Sequence, residues 1–192
     1  MIEAVQAGQR CFGENYLQEA LDKIHVLHDL QPELSLEWHF IGPIQSNKTR
    51  QIAENFSWVH SVEREKIAQR LSEQRPSGSV PLNICLQVNI SGESSKSGVL
   101  PEQALPLARM VATLPGLRLR GLMAVPEASD DPVLQRRAFS QLRELKERIE
   151  AEGIALDTLS IGMSGDMDAA IAEGSTMVRV GSAIFGKRTY AE

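Results

Sequence analysis

The sequence has 192 residues, a formal net charge of −5, 42% hydrophobic and 23% charged residues. This length and composition fit one globular domain with a sizeable core. The acidic balance argues against a nucleic-acid surface, and no apolar run approaches the length of a membrane span, so we predict a cytoplasmic protein.

Hydrophobic periodicity predicts helices and strands in alternation along the whole chain. The first element is a helix over residues 1–7, where apolar side chains recur at helical spacing. The strands that follow are predicted at 10–13, 37–42, 58–62, 82–89, 117–125, 159–163 and 177–180. The helices between them are predicted at 16–30, 47–54, from 61 or 63 to about 73, 101–114, 133–152 and 167–173.

Strict alternation of strands and helices predicts parallel strands joined by right-handed crossovers. Seven units of this size favour a (β/α)8 barrel of the TIM type over an open doubly wound sheet. Such a barrel has eight strands, and this chain begins with a helix. We therefore expect a single domain over 1–192 with seven of the eight strands, strand 1 being absent. The two unpaired edges would invite association, so we expect a monomer or a weak dimer.

The last two strands each end in a turn of small residues. Ser164 begins the first turn, and Gly181 and Ser182 form the second. If the strands are parallel neighbours, both turns open on one rim and offer backbone N–H groups and hydroxyls to one anion. Barrels often hold a phosphate between the loops after strands 7 and 8. The alternative for Ser164 is that it caps the next helix together with Asp166.

Arg179 lies between Val178 and Val180, so alternation turns it to the opposite face, which in a barrel is the lumen. A charge there needs a partner. It is either one half of a structural ion pair or a donor to a ligand beneath the turns. Asn15 follows the first strand and is predicted at the same rim, where barrels meet their ligands.

The remaining polar residues give weaker signals. We interpret His39 and His60 as satisfied core histidines. His25 and His28 have metal-ligand spacing without an evident third ligand, so we predict no metal site and no catalytic residue. The loop at 93–98 is either a surface loop or an anion cradle. The two cysteines, Cys11 and Cys85, lie in apolar runs and are expected to be buried thiols in a reducing compartment.

Several of these segments, in order along the chain, resemble the pyridoxal 5′-phosphate homeostasis protein family. The run His-Phe-Ile-Gly-Pro-Ile-Gln-Ser-Asn-Lys at 39–48 is similar to the family signature, and the resemblance covers essentially the whole chain. It implies the barrel of the alanine racemase N-terminal domain, pyridoxal 5′-phosphate (PLP) as cofactor, and buffering and delivery of PLP to apo-enzymes without established turnover. The matching segments are 12–16, 38–48, 93–98, 160–166 and 178–186.

The resemblance also implies roles for individual residues. Ser164 would bind the phosphate through its hydroxyl, and Gly181 and Ser182 through backbone N–H groups and the second hydroxyl. Arg179 would face the pyridine nitrogen and disfavour its protonation, which weakens the ring as an electron sink. Asn15 would lie near the ring.

One departure from the family concerns covalent binding. The family holds PLP as a Schiff base on a lysine at the end of strand 1, and we expect this lysine to be absent with that strand. Lys48, Lys96 and Lys187 are rim-side amines, and none is expected to replace it. We therefore expect this chain to bind PLP weakly and non-covalently, or not at all. The alternative functions are a racemase-like PLP enzyme, a barrel enzyme acting on a phosphorylated metabolite, and a pure interaction protein.

Overall fold

The computed structural model describes residues 1–93 and 96–186, in which strands and helices alternate as predicted. The strands are β1 (Cys11–Glu14), β2 (Glu37–Phe40), β3 (Trp58–Val62), β4 (Leu82–Gln87), β5 (Leu117–Met123), β6 (Thr158–Met163) and β7 (Met177–Arg179). The helices are α1 (Ile2–Gln6), α2 (Leu17–Leu30), α3 (Thr49–Asn55), α4 (Glu65–Gln74), α5 (Pro101–Ala112), α6 (Pro132–Ala151), α7 (Met167–Ala172) and α8 (Ser182–Phe185). None of these helices combines the length and hydrophobicity that a membrane span requires.

All seven strands are parallel and form one sheet whose spatial order is the order of the chain. Every crossover therefore steps in the same direction, as in a barrel, whereas a doubly wound sheet reverses its strand order. Within the described residues, β1 and β7 are edge strands that pair with one neighbour each. The predicted barrel of seven parallel strands is confirmed.

A hydrogen bond across the lumen shows how strongly the sheet curls. The Nδ1 atom of His60 on β3 lies 2.7 Å from Oγ of Ser160 on β6. In a flat sheet these strands would lie about 14 Å apart, three strand spacings. The inner faces of β3 and β6 therefore approach each other across the lumen.

The main apolar core lies between the outer face of the sheet and the helices. Helix α6 shows why the sequence folds this way: Phe139, Leu142, Leu145 and Ile149 form one buried stripe at helical spacing. The helix begins with proline in its first turn, and the Asp131 side chain accepts a hydrogen bond from the Val133 amide at 2.8 Å.

The expectation of two buried thiols is wrong for one of them. Cys85 is fully buried beside Trp58 and Met123, but Cys11 is exposed on the edge strand β1. An apolar run predicts burial only where both sides of the strand are covered. Burial raises the pKa of the Cys85 thiol to about 12, so its reactive thiolate form is scarce.

We expect one reactive thiol in the folded protein and two in the denatured chain. A thiol-reactive dye at mildly alkaline pH should modify Cys11 and leave Cys85 unmodified, because only Cys11 is exposed. Burial and the neighbouring Glu37 carboxylate raise the pKa of Cys11, which slows its reaction without preventing it. In the Cys11→Ser variant the folded protein should show no fast reaction. Rapid labelling of Cys85 in that variant would contradict the expectation.

Candidate functional site

The turns that follow β6 and β7 meet at the carboxyl rim of the sheet. The Ala183 backbone amide, in the first turn of α8, donates to Oγ of Ser164 at 3.4 Å. Gly181 and Ser182 immediately precede Ala183, and all four residues are exposed. The structure thus brings Ser164, Gly181 and Ser182 to one place. We call these three residues with Ala183 the rim cup.

The turn after β6 is organised by Asp166. Its Oδ1 atom accepts a hydrogen bond from the Met163 amide at 2.6 Å, and its own amide donates to the Met163 carbonyl at 3.2 Å. Helix α7 has no side-chain cap bond, so the alternative that Ser164 caps this helix is wrong. Gly162 has a φ of 97°, and a Cβ there would lie 2.7 Å from Cβ of Ala170. Glycine therefore permits the bend that presents Ser164.

Arg179 lies on β7 just before the rim cup and points into the lumen. Its Nη1 donates to the carbonyl and the hydroxyl of Ser160, at 2.6 and 2.7 Å, and its Nη2 donates to the Ala124 carbonyl at 3.0 Å. These acceptors are neutral, and Arg179 forms no ion pair within the described residues, so the predicted alternative of a structural ion pair is wrong there. Burial lowers the pKa of Arg179, and the Asp166 carboxylate acts on it in the opposite direction, so the guanidinium stays positively charged without a direct ion pair within the described residues.

Arg179 also keeps unused hydrogen-bond donors. A guanidinium has five N–H groups, and the three hydrogen bonds described above use both groups of Nη1 and one of Nη2. Within the described residues, Nε–H and the second Nη2–H have no partner. These donors are available to a ligand beneath the rim cup.

A chain of polar side chains crosses the lumen from Arg179 to β2. His60 Nδ1 lies 2.7 Å from Ser160 Oγ, His60 Nε2 lies 2.9 Å from His39 Nδ1, and His39 Nε2 lies 3.0 Å from Glu37 Oε1. A neutral imidazole has one donor and one acceptor. Each hydrogen bond in the chain therefore has one donor and one acceptor if every N–H or O–H group donates to the next residue in the direction from Arg179 to Glu37. The prediction that His39 and His60 are satisfied core histidines is confirmed.

Burial makes this chain sensitive to acid. Burial lowers the pKa of His60 well below its usual range, and burial also lowers that of His39. In the unfolded chain a histidine gains a proton near pH 6.5, whereas His60 in the folded protein stays neutral there. The unfolded state binds more protons, so stability falls as the pH drops below about 6.5.

Below about pH 6.5, we expect the neutral His60 to lower the free energy of unfolding by up to about 1.4 kcal/mol for each pH unit. Urea unfolding between about pH 8 and about pH 5, in buffer with a chelator, measures this dependence. His60→Gln should flatten it. His28→Gln is the control, because His28 is exposed on α2 and should leave the slope unchanged. Equal slopes for the wild type and His60→Gln would refute the assignment.

Asn15 lies at the rim as predicted, but on the side of β1. A Cβ on Gly42 would come within 2.0 Å of the Asn15 carbonyl oxygen, so the backbones after β1 and β2 touch there and only glycine fits. No hydrogen bond in the described part of the chain joins Asn15 to the rim cup or to Arg179. The structure therefore brings Ser164, Gly181 and Ser182 together, with Arg179 on the strand that leads into them, and places Asn15 after β1.

Within the described residues, no hydrogen bond or ion pair joins Lys48, Lys96 or the loop at 93–98 to the rim cup. Lys96 pairs with Glu93 at 3.2 Å, and the Gly98 amide donates to Glu63 Oε2 at 2.7 Å. Ser94, Ser95 and Lys187 lie outside the described residues. Lys48 belongs to the 3₁₀ turn that precedes α3. The Asn89 side-chain amide also donates to the carbonyls of Glu93 and Lys96, at 2.7 and 3.3 Å. Two carboxylates among the described contacts favour the surface-loop interpretation over an anion cradle.

Three residues of the site were not predicted from the sequence. Ser160 and Ala124 accept hydrogen bonds from Arg179, and the Ala183 amide donates to Ser164. Two of them act through backbone atoms, which leave no signal in residue type. The hydroxyl of Ser160 could have been found, since Ser160 alternates with buried apolar residues on β6.

The sequence matches a family model described as alanine racemase, N-terminal domain, over residues 1–189. A protein of Vibrio cholerae named pyridoxal phosphate homeostasis protein is 58% identical over 191 residues, which are 100% of this chain and 81% of that protein. A protein of Pseudomonas aeruginosa with the same name is 62% identical over 188 residues, 98% of this chain and 79% of that protein.

Solved structures share the architecture. PipY of Synechococcus elongatus PCC7942, solved with PLP bound, superposes with a TM-score of 0.86 at 36% identity and covers 96% of this chain and 85% of PipY. An alanine racemase of Clostridium difficile 630 superposes with a TM-score of 0.74 at 13% identity, over 94% of this chain and 46% of the racemase. The second likeness concerns the fold alone.

Proposed function

Because this chain belongs to the alanine racemase N-terminal domain family, together with relatives named pyridoxal phosphate homeostasis protein, we propose that it binds PLP in intracellular cofactor homeostasis. The observation that carries this proposal is the meeting of the Ser164 hydroxyl and the Ala183 amide, with the positively charged Arg179 on the strand that leads into this turn. A dianionic phosphate finds hydroxyl and backbone donors there, with a cation below.

In this proposal the rim cup binds the phosphate through the hydroxyls of Ser164 and Ser182 and the N–H of Gly181. Arg179 directs its unused donors to the pyridine nitrogen, and Asn15 contributes from the β1 side. A guanidinium at that nitrogen disfavours its protonation, because two positive charges would meet. Bound PLP supplies an electron sink to enzymes, and an unprotonated ring is a weak one. The arrangement therefore suits storage and delivery, and we assign no catalytic residue.

The physiological setting is part of the same proposal. Residues 1–192 act as one barrel domain in the cytoplasm, as a monomer or weak dimer, and release PLP to apo-enzymes that depend on it. Binding is non-covalent in this chain. Two of the described lysines are engaged in ion pairs: Lys23 with Glu14 at 2.7 Å, and Lys96 with Glu93.

Equilibrium dialysis with PLP and with pyridoxal, which lacks the phosphate, tests the proposal. PLP should be retained, and pyridoxal should bind at least about tenfold more weakly, because one or more charge-assisted hydrogen bonds are lost. Borohydride treatment followed by intact-mass measurement should give no stoichiometric adduct. Equal retention of both compounds would refute the phosphate site. Racemisation of L-alanine by the PLP-loaded chain would favour the enzyme alternative instead.

A further inference from the structure

We propose that Cys11, Glu37 and His39 form a binding site for a zinc-class transition metal ion at the amino-terminal end of β1 and β2. One ligand atom from each residue lies within 4.8 Å of the other two. Glu37 Oε1 lies 3.6 Å from Cys11 Sγ and 3.0 Å from His39 Nε2. The site is separate from the rim cup, which lies at the opposite ends of the strands.

Strand register explains why these three side chains meet. Cys11 and Glu37 are directly paired neighbours on β1 and β2, so their side chains share a face. His39 follows Glu37 by two residues and points to the same face. No loop rearrangement is needed to assemble the site, because two regular strands carry all three groups.

The distances match the geometry of a bound ion. In a tetrahedral zinc site, bonds of about 2.3 Å to sulfur and about 2.0–2.1 Å to nitrogen or oxygen place neighbouring ligand atoms about 3.3–3.5 Å apart. The two distances observed here lie within a few tenths of an ångström of that range. An ion could enter between these atoms with small side-chain shifts.

The ligand types select the metal. Thiolate, imidazole and carboxylate together form a set that zinc accepts, whereas magnesium and calcium prefer oxygen ligands alone. Three protein ligands leave a fourth position for water. Cys11 is exposed, and 45% of the Glu37 side-chain surface is accessible, so an ion can reach the site from solvent. Coordination requires the thiolate, and the thiol proton is released to the buffer.

Hydrogen bonding and ring stacking fix the orientation of the His39 imidazole, as is usual for a histidine that binds a metal ion. Its Nδ1 bonds to His60, whose Nδ1 bonds to Ser160, while its Nε2 faces the site. The Trp58 ring stacks on the imidazole at an interplanar angle of 13°. Metal-ligating histidines usually donate their other ring N–H to a fixed acceptor. His60 can be that acceptor, because the Ser160 hydroxyl can accept the His60 N–H in turn.

Titration of chelator-stripped protein with Co²⁺ alone tests the site. We expect a thiolate-to-cobalt charge-transfer band with the visible bands of tetrahedral cobalt, at one ion per chain, and their displacement by Zn²⁺. Cys11→Ser should abolish the charge-transfer band, and Glu37→Gln should weaken Zn²⁺ binding at least about tenfold. Both positions are accessible to solvent, so these variants should fold. Circular dichroism checks this directly.

Cys85→Ala and His28→Gln are the matched controls, one thiol and one imidazole outside the site, and both should bind as the wild type does. Absence of the charge-transfer band in the wild type would overturn the proposal. Unchanged Zn²⁺ affinity in Cys11→Ser and Glu37→Gln would overturn it too, since binding would then be adventitious. The assay needs no PLP, so its outcome is independent of the proposed function.

Discussion

Replacing Arg179 by glutamine is expected to weaken PLP binding about 10- to 100-fold, because a hydrogen bond to a charged group contributes about 1.5–3 kcal/mol. The same change removes donors from the Ser160 and Ala124 carbonyls. Leaving such acceptors without partners should also lower the free energy of unfolding by about 1–3 kcal/mol. Equilibrium dialysis measures the first effect, and urea unfolding measures the second.

Arg120→Gln is the matched control for that experiment. Arg120 also lies on a strand, but it pairs with Asp157 at 2.8 Å and covers the Trp58 ring at 4.7 Å, near the amino-terminal end of β6. We expect this variant to lose some stability and to keep its PLP affinity. If Arg179→Gln kept the wild-type affinity for PLP, or if Arg120→Gln lost as much affinity, Arg179 would not be a PLP-binding residue.

Gly121→Ala is expected to be the most damaging single methyl addition to the sheet. A Cβ at Gly121 would lie 1.8 Å from the Thr158 carbonyl oxygen, where β5 and β6 pair. The obstacle is backbone in the interior of the sheet, so it cannot move as a flexible side chain would. We expect a loss of about 3 kcal/mol or more, or a failure to fold, measured by urea unfolding or soluble yield.

Gly165→Ala is the comparison for this variant. A Cβ at Gly165 meets nothing within 4 Å, and its φ is not in the left-handed region. Its free energy of unfolding should stay within about 0.5 kcal/mol of the wild type. If Gly121→Ala were as stable as Gly165→Ala, the close approach of β5 and β6 would be wrong.

The architecture was predictable because each strand is short, apolar and followed by an amphipathic helix. Strand β3 occupies the predicted residues, and α6 begins one residue before its predicted start. The rim cup was predictable for a related reason. Glycine and serine after a parallel strand mark a turn, and parallel strands end at a common rim.

The partners of Arg179 could not be predicted in the same way. Ser160 and Ala124 lie 19 and 55 residues before it in the chain. The His60–Ser160 bond spans 100 residues and depends on how far the sheet curls. Residue spacing reports which face a side chain occupies, but curvature decides which faces meet. The exposure of Cys11 could not be predicted either, because it depends on β1 lying at the edge of the sheet with one neighbouring strand.

The most direct test of the account is a crystal structure of this chain grown with PLP. We predict density for the phosphate between Ser164 Oγ and the backbone amides of Gly181 to Ala183, with the pyridine nitrogen facing the guanidinium of Arg179. A phosphate bound elsewhere on the chain, or a ring out of reach of Arg179, would contradict it.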